Sequence, residues 1–207
     1  MILGRIDEVD GHYVATKFVA LLVPTGSMYV TGEKTSKSSR GLAMTWSGVP
    51  VRFNWKSVTL AYARVYLPVL GVAWPLLTYW GQNVATIPKY VWVISLALVV
   101  ASFLFLLPGR LPEPEKARLR LLGSITGMRI DPGKLRETTR HMKRDSLCDL
   151  MEKGGLPSTP DDIIAVLDDI PGPALPLVYA YACYAGDDEA WRTCAAQVHE
   201  RCKQNEL

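Results

Sequence analysis

Two long apolar segments, Val58–Trp80 and Tyr90–Leu107, occupy the middle of this 207-residue chain. The second has 18 residues and no charge, and as a helix it covers about 27 Å, close to the hydrocarbon thickness of a bilayer. The first has 23 residues and a single charge, Arg64, near enough to the segment's start to reach the headgroups. The two segments predict a transmembrane helical hairpin with a short loop, residues 81–89.

The alternative is a buried helical hairpin inside a soluble core. The rest of the chain is too short to cover two such helices, and the positions of the aromatic residues also favour the membrane. Aromatic residues gather at both ends of the segments, as in the interfacial belts of membrane helices. They are Trp55, Tyr62 and Tyr66 at one end, and Tyr79, Trp80, Tyr90 and Trp92 at the other.

The distribution of positive charge orients the predicted hairpin. Residues 1–57 hold seven Lys and Arg and residues 110–144 hold ten, whereas Lys89 is the only cation at the loop. The positive-inside rule therefore predicts that both termini are cytoplasmic and that the loop is outside. Three acidic residues among the first ten, and no signal-peptide pattern after them, agree with this orientation. We expect an integral protein of the plasma (inner) membrane.

The part before the hairpin, residues 1–57, predicts a small antiparallel β-unit. A strand His12–Val23 is followed by a Pro-Thr-Gly turn and a short strand Ser27–Thr31. Gly32–Arg40 is polar and predicts a loop. Alternating apolar residues on both sides of Ser47–Gly48 predict a second hairpin with these two residues as its turn. Pro50 lacks an N–H, which predicts an edge strand.

The part after the hairpin, residues 108–207, predicts a helical domain. Helix caps, first-turn acids and Gly or Pro stops delimit five segments. They are Glu113–Leu122, Pro132–Lys153 capped by Asp131, a helix capped by Thr159 that stops before Pro171, Ala174–Ala185 and Asp188–Lys203.

Charge is divided along this helical domain. Residues 110–144 have a net charge of +6 and residues 145–207 a net charge of −8. Four cations on the second helix form a basic stripe next to the membrane: Arg136, Arg140, Lys143 and Arg144. One interpretation is contact with anionic lipid headgroups, and the other is an ordinary amphipathic helix with a solvated basic face. The acidic distal helices are the predicted surface for a protein partner.

The last two helices resemble a single tetratricopeptide unit. The resemblance rests on the stretch AYACYAGDDEAW, Ala180–Trp191, with its small and aromatic packing residues and its Gly-Asp turn. It covers about 30 residues, and no second copy follows at the repeat spacing. The resemblance implies an α-hairpin with a protein-binding surface.

Motifs for catalysis or cofactor binding are missing from the sequence. Cys194 and Cys202 are eight residues apart, about 12 Å along a helix, too far to share a tetrahedral metal ion. His12, His141 and His199 have no recognised nucleophile partner, and there is no phosphate-binding loop or paired Cys motif. We predict no catalytic residue, cofactor, metal or nucleic-acid partner, and four free thiols in a reducing compartment.

The sequence therefore predicts an α+β membrane protein. A two-helix transmembrane hairpin (58–107) separates a small antiparallel β-unit from a C-terminal α-helical domain. The favoured function is a non-enzymatic, membrane-anchored adaptor or accessory subunit that presents its helical domain to a protein partner. Two alternatives stay open: a subunit of an oligomeric channel or transporter centred on Arg64, and a membrane-surface enzyme of unassigned chemistry.

Overall fold

The protein has an α+β fold with one four-stranded antiparallel sheet and a mostly helical remainder. A computed structural model describes residues 2–19, 23–38, 41–80, 87–105 and 111–205. The chain divides into two compact units, Met1–Leu111 and Pro112–Leu207. The first contains the sheet and two apolar helices, and the second contains only helices among its described residues.

The sheet is a simple meander in which each strand pairs with the next. Its strands are β1 (Ile2–Val9), β2 (His12–Val19), β3 (Val23–Ser38) and β4 (Gly41–Val51). Asp10 and Gly11 both have positive φ, as a two-residue hairpin turn requires. The sequence did not predict β1, because its charged residues and register shifts hide the alternation that marks a strand.

The predicted second hairpin is wrong. Ser47 and Gly48 lie inside β4, where they pair with Gly32 and Val30 of β3. The two flanking segments therefore form one strand along β3 and do not pair with each other. A side chain at Gly48 would lie 2.1 Å from the Tyr29 carbonyl oxygen, so this glycine permits a close approach between strands and does not mark a turn.

Two other predictions about this unit also need correction. The predicted loop Gly32–Arg40 is part of β3 as far as Ser38, and Ser39 and Arg40 lie outside the described residues. The predicted Pro-Thr-Gly turn, residues 24–26, lies within β3, which begins at Val23. The strand predicted to continue to Val23 ends at Val19 as β2, and residues 20–22 lie outside the described residues. The edge position predicted from Pro50 is confirmed, since β4 is an outer strand.

The first apolar helix, α1 (Trp55–Thr78), begins against the sheet. The side chain of Asn54 accepts a hydrogen bond from the Ser57 amide and caps the helix. Val58 and Ala61 then pack with Phe18 of β2 in a buried cluster. The first two turns of α1 are therefore part of a sheet–helix core.

The second apolar helix, α2 (Lys89–Leu104), packs along α1 to form a helical hairpin. It is shorter than predicted, and residues 106–110 lie outside the described part of the chain. Among the described helices only α1, over residues 55–77, has the length and hydropathy to cross a bilayer, with a mean hydropathy of 1.4. The remaining apolar helix, α2, has 16 residues.

The second unit packs its helices around α6. Its helices are α3 (Glu113–Thr126), α4 (Glu137–Lys153), α5 (Pro160–Ala165), α6 (Leu175–Ala185) and α7 (Glu189–Asn205). The α6 helix is apolar on nearly all sides and contacts α3, α4 and α7, as expected of a central core helix. The α-hairpin implied by the tetratricopeptide resemblance is present as α6 and α7.

Several helix boundaries in this unit differ from the prediction. The helix predicted to end at Leu122, α3, continues to Thr126. The helix predicted from Pro132 begins only at Glu137, because Pro132–Lys134 forms a 3₁₀ turn. Asp131 does cap, but it caps that turn, accepting a hydrogen bond from the Gly133 amide. The helix capped by Thr159 is also shorter than predicted and ends at Ala165.

Candidate membrane surface and helical-domain cleft

The α1–α2 hairpin has a large exposed apolar surface beyond its contact with the sheet. Large apolar side chains on both helices are at least half exposed, which is unusual for one contiguous surface in water. They include Val69, Leu70, Val72, Trp74, Leu76 and Leu77 of α1, and Val93, Leu96, Phe103 and Leu104 of α2. Within the first unit, this part of the hairpin is therefore exposed.

Aromatic side chains mark both limits of this apolar surface. Tyr62 and Tyr66 pack together at the end near the sheet, with tilted rings whose centroids are 5.4 Å apart. Trp80 and Tyr90 are exposed by 84% and 62% at the far end. From Tyr62 to Trp80 the helical rise covers about 27 Å, close to the hydrocarbon thickness of a bilayer.

Arg64 lies at the limit nearest the sheet and holds three elements together. Its Nε donates to the Phe105 carbonyl oxygen at 2.8 Å, just beyond the end of α2. Its Nη1 donates to the Arg5 carbonyl oxygen of β1 at 3.1 Å. These bonds satisfy a helix-terminal carbonyl and fix the guanidinium at the sheet, away from the middle of the apolar surface.

A buried hydroxyl network fixes the start of α1 on the sheet. The Ser57 hydroxyl donates to the Gly4 carbonyl oxygen at 2.6 Å, and the Thr16 hydroxyl donates to Ser57 at 2.9 Å. The Ser27 hydroxyl accepts from the Asn54 amide at 3.0 Å. Buried polar groups that satisfy one another specify a single packing geometry, so the hairpin has a defined direction relative to the strands.

The second unit contains a cleft of about 390 Å³ formed largely by α6 and α7. Charged, aromatic and small side chains line it. They include Arg118, Asp131, Tyr179, Cys183, Trp191 and His199. The size and mixed lining suit a small molecule or a partner's side chain.

The charge on Arg118 is matched within the cleft wall. Its guanidinium donates two hydrogen bonds to Glu115, at 2.6 and 2.9 Å, and one to Asp131 at 2.7 Å. Burial disfavours the charged form, but hydrogen bonds to Glu115 and Asp131 outweigh it and raise the pKa of Arg118. Arg118 therefore works as a fixed cation that positions α3 against the 3₁₀ turn.

The thiol and rings of the cleft favour binding over nucleophilic chemistry. Burial raises the pKa of Cys183 to about 11, so the unreactive thiol form dominates near neutral pH. Burial also raises the pKa of Tyr179 and lowers that of His199. The Tyr179 and His199 rings stack with centroids 5.1 Å apart, which gives the cleft a flat aromatic wall.

The predicted basic stripe is largely engaged within the unit. Arg140 forms a bidentate pair with Asp187 and donates to the Tyr184 carbonyl oxygen. Lys143 donates to the Thr126 carbonyl oxygen at 3.0 Å, and Arg144 pairs with Asp145. Arg136 is exposed at the start of α4. Intramolecular contacts thus account for three of the four cations, and lipid contact stays a prediction.

All four cysteines are free, with Cys194 and Cys202 buried. Across the described ranges, no group of three His, Cys, Asp or Glu side chains is placed to hold a metal ion. Cys194 lies in the apolar core and Cys202 beside it, as expected of small core residues.

The cleft was not predicted from the sequence. Asp131 was identified only as a cap and Arg118 only as part of a basic segment, although both line the cleft. Their pairing joins α3 to a turn 13 residues later, which no local pattern reveals. No family model, curated protein or solved structure matches this chain.

Proposed function

We propose that this protein is a membrane-anchored adaptor or accessory subunit. The α1–α2 hairpin inserts into the bilayer as a transmembrane hairpin, and both termini are cytoplasmic. The observation that carries the proposal is the exposed apolar surface of the hairpin, bounded by aromatic residues at both limits. Such a surface is costly in water and favourable in lipid.

The helical unit is the part that meets a protein partner in this proposal. Its cleft combines the ring of Trp191 and the stacked pair of Tyr179 and His199 with fixed charges of both signs. Aromatic side chains beside satisfied charges are typical of surfaces that recognise protein segments. Arg140 and Asp187 neutralise each other near the cleft, so the aromatic wall, more than the net acidity of the distal helices, supports the choice of site.

The two alternatives have less support. A channel centred on Arg64 needs that side chain to face a pathway, whereas it donates to the Arg5 and Phe105 carbonyl oxygens. A surface enzyme that uses Cys183 needs a thiolate, and its pKa of about 11 opposes one. No contact of the described residues favours either over the adaptor.

Topology can be tested by labelling cysteines in intact cells with a membrane-impermeant maleimide. We expect Gln82→Cys, in the predicted external loop, to be labelled without permeabilisation. The control Ser47→Cys, exposed on β4, should be labelled only after permeabilisation. Labelling of both variants or of neither before permeabilisation would contradict a hairpin that crosses the membrane, and labelling of Ser47→Cys alone would contradict the orientation.

The partner site can be tested by placing a photo-crosslinking residue at Ala196, which lines the cleft. Gln197, exposed and next in sequence but not part of the lining, is the matched control. We expect discrete protein adducts in native membranes from Ala196 and not from Gln197. Equal patterns at both positions, or none at either, would argue against the cleft as the partner surface.

A further inference from the structure

β2 ends at Val19 and β3 begins at Val23, and these two residues pair with each other at one end of the sheet. Residues 18–23 are all apolar in the sequence. Phe18 is buried, but Val19 at the end of β2 and Val23 at the start of β3 are each 59% exposed. Turns in water usually carry Gly, Asn, Asp or Ser. Val19 and Val23 therefore form an exposed apolar pair at this end of the sheet.

Contacts between β2 and α1 locate this end of the sheet relative to the helix. Thr16 bonds Ser57 on the first turn of α1. Two residues later, Phe18 packs on Val58 and Ala61, and its ring meets that of Tyr62 edge to face at 5.5 Å. These contacts place the end of β2 beside the first two turns of α1. Val19, the next residue, therefore lies near the level of Tyr62.

The same level is the limit of the apolar surface on the hairpin. The ring of Tyr62 contacts that of Tyr66, and Arg64 lies between them in sequence. Beyond these residues the exposed side chains of α1 are mostly apolar. Val19 and Val23 are thus continuous in depth with the surface assigned to lipid. Lys17, exposed two residues before Val19, adds a cation of the sign that anionic headgroups attract.

We propose that Val19 and Val23, together the valine tip, contact the lipid interface as a second membrane contact beside the hairpin. This proposal rests on the proposed membrane insertion of the hairpin. The hairpin anchors the unit, and the valine tip fixes the tilt of the sheet on the membrane surface. Transfer of each exposed valine side chain from water into the interface lowers the free energy, as in other amphipathic surface contacts.

The test measures thiol labelling rates in the full chain reconstituted into phosphatidylcholine–phosphatidylglycerol vesicles. Single substitutions Val19→Cys, Val23→Cys, Ser47→Cys and Leu70→Cys are reacted with a charged maleimide, and each site is quantified by peptide mass spectrometry. The native cysteines lie in other peptides and serve as internal standards. Ser47 pairs with Gly32, nine residues along β3 from Val23, and so lies about 30 Å from the tip. Rates in urea and SDS correct for intrinsic reactivity.

We expect Val19→Cys and Val23→Cys to react about tenfold more slowly than Ser47→Cys, because the interface excludes a charged reagent. Equal rates at the three sites, with Leu70→Cys protected, would overturn the valine tip and leave the hairpin in the membrane. Fast labelling of Leu70→Cys would overturn membrane insertion itself. Protection at the tip that disappears when protein is diluted in lipid would assign it to a second copy and overturn the proposal.

Discussion

At the scale of single residues, Gly4 sets the distance between the sheet and α1. Its φ of +72° lies in the left-handed region, and a methyl group there would lie 2.1 Å from the Ser57 carbonyl oxygen. The same residue accepts the Ser57 hydroxyl. One position therefore combines a glycine conformation, a close approach and a buried hydrogen bond.

Gly4→Ala should separate these effects when compared with Gly11→Ala. Gly11 also has positive φ, at +81°, but has open space around it. We expect about 1 kcal/mol of destabilisation at Gly11 from backbone strain alone, and about 3 kcal/mol or more at Gly4 because strain and steric overlap add. Denaturant unfolding in mild detergent, followed by circular dichroism, measures both. Equal losses would mean that the strand and helix are not in such close contact.

Protonation of Cys183 makes the helical unit sensitive to alkaline pH. The folded pKa of about 11 lies above the unfolded value of about 8.5, so the folded state holds its proton more tightly. This contribution to stability is complete below pH about 8.5 and is lost as pH rises toward about 11. Cys194, whose pKa burial also raises to about 11, acts in the same direction.

The expected result is a free energy of unfolding that falls between pH 9 and pH 11 and falls less steeply in Cys183→Ser. Urea unfolding of wild type and variant at each pH gives the comparison. Thr193→Ser, at an exposed side chain of α7 that does not titrate, is the control and should leave the slope unchanged. A Cys183→Ser slope identical to wild type would show that Cys183 does not titrate in the folded unit.

At the scale of elements, the α1–α2 hairpin depends on a close contact at Gly71. A side chain there would lie 2.9 Å from the Ser95 carbonyl oxygen and 3.0 Å from a Val99 methyl group. Small residues allow such close contacts between apolar helices.

Gly71→Leu should force the two helices apart, whereas Val72→Leu should be tolerated because Val72 is 59% exposed. We expect a clearly lower thermal unfolding midpoint in detergent for Gly71→Leu and little change for Val72→Leu. A Gly71→Leu protein as stable as wild type would contradict this packing of the hairpin.

The helical elements were more predictable from sequence than the strands. Thr159 and Gly154 carry helix-end signals that depend on neighbouring residues only, so local patterns locate such helices. Pairing of β3 with β4 depends on contacts up to 24 residues apart, from Ser27 to Val51. Gly48 looks like a turn residue locally, and only its approach to Tyr29 explains it. Long-range register is not encoded in any short window.

The two candidate sites, the hairpin surface and the cleft, also differ in how well the sequence predicts them. An apolar stretch identifies the hairpin, because its signal is additive along the sequence. The cleft requires Arg118, Asp131 and Tyr179 to meet from three elements, and each has an ordinary local explanation. The sequence singles out Arg64 as the one charge in the first apolar segment, but its carbonyl partners Arg5 and Phe105 are about 60 and 40 residues away.

At the scale of the whole molecule, the second unit has the core of an independent domain. Val178 and Tyr184 of α6 are buried among α3, α4 and α7. We expect a fragment of residues 112–207 to be soluble, monomeric and cooperatively folded without detergent. Its helical circular dichroism and a single unfolding transition would show this, and aggregation or a gradual melt would show that the first unit is needed for folding.

Alkaline carbonate extraction of native membranes tests directly whether the α1–α2 hairpin anchors the protein in the bilayer, as proposed. We predict that the full chain stays in the membrane pellet while residues 112–207 appear in the supernatant. A variant with both Leu70→Asp and Leu96→Asp, at exposed hairpin positions, should lose membrane retention because buried carboxylates are costly in lipid. Release of the wild-type chain into the supernatant would contradict anchoring by the hairpin.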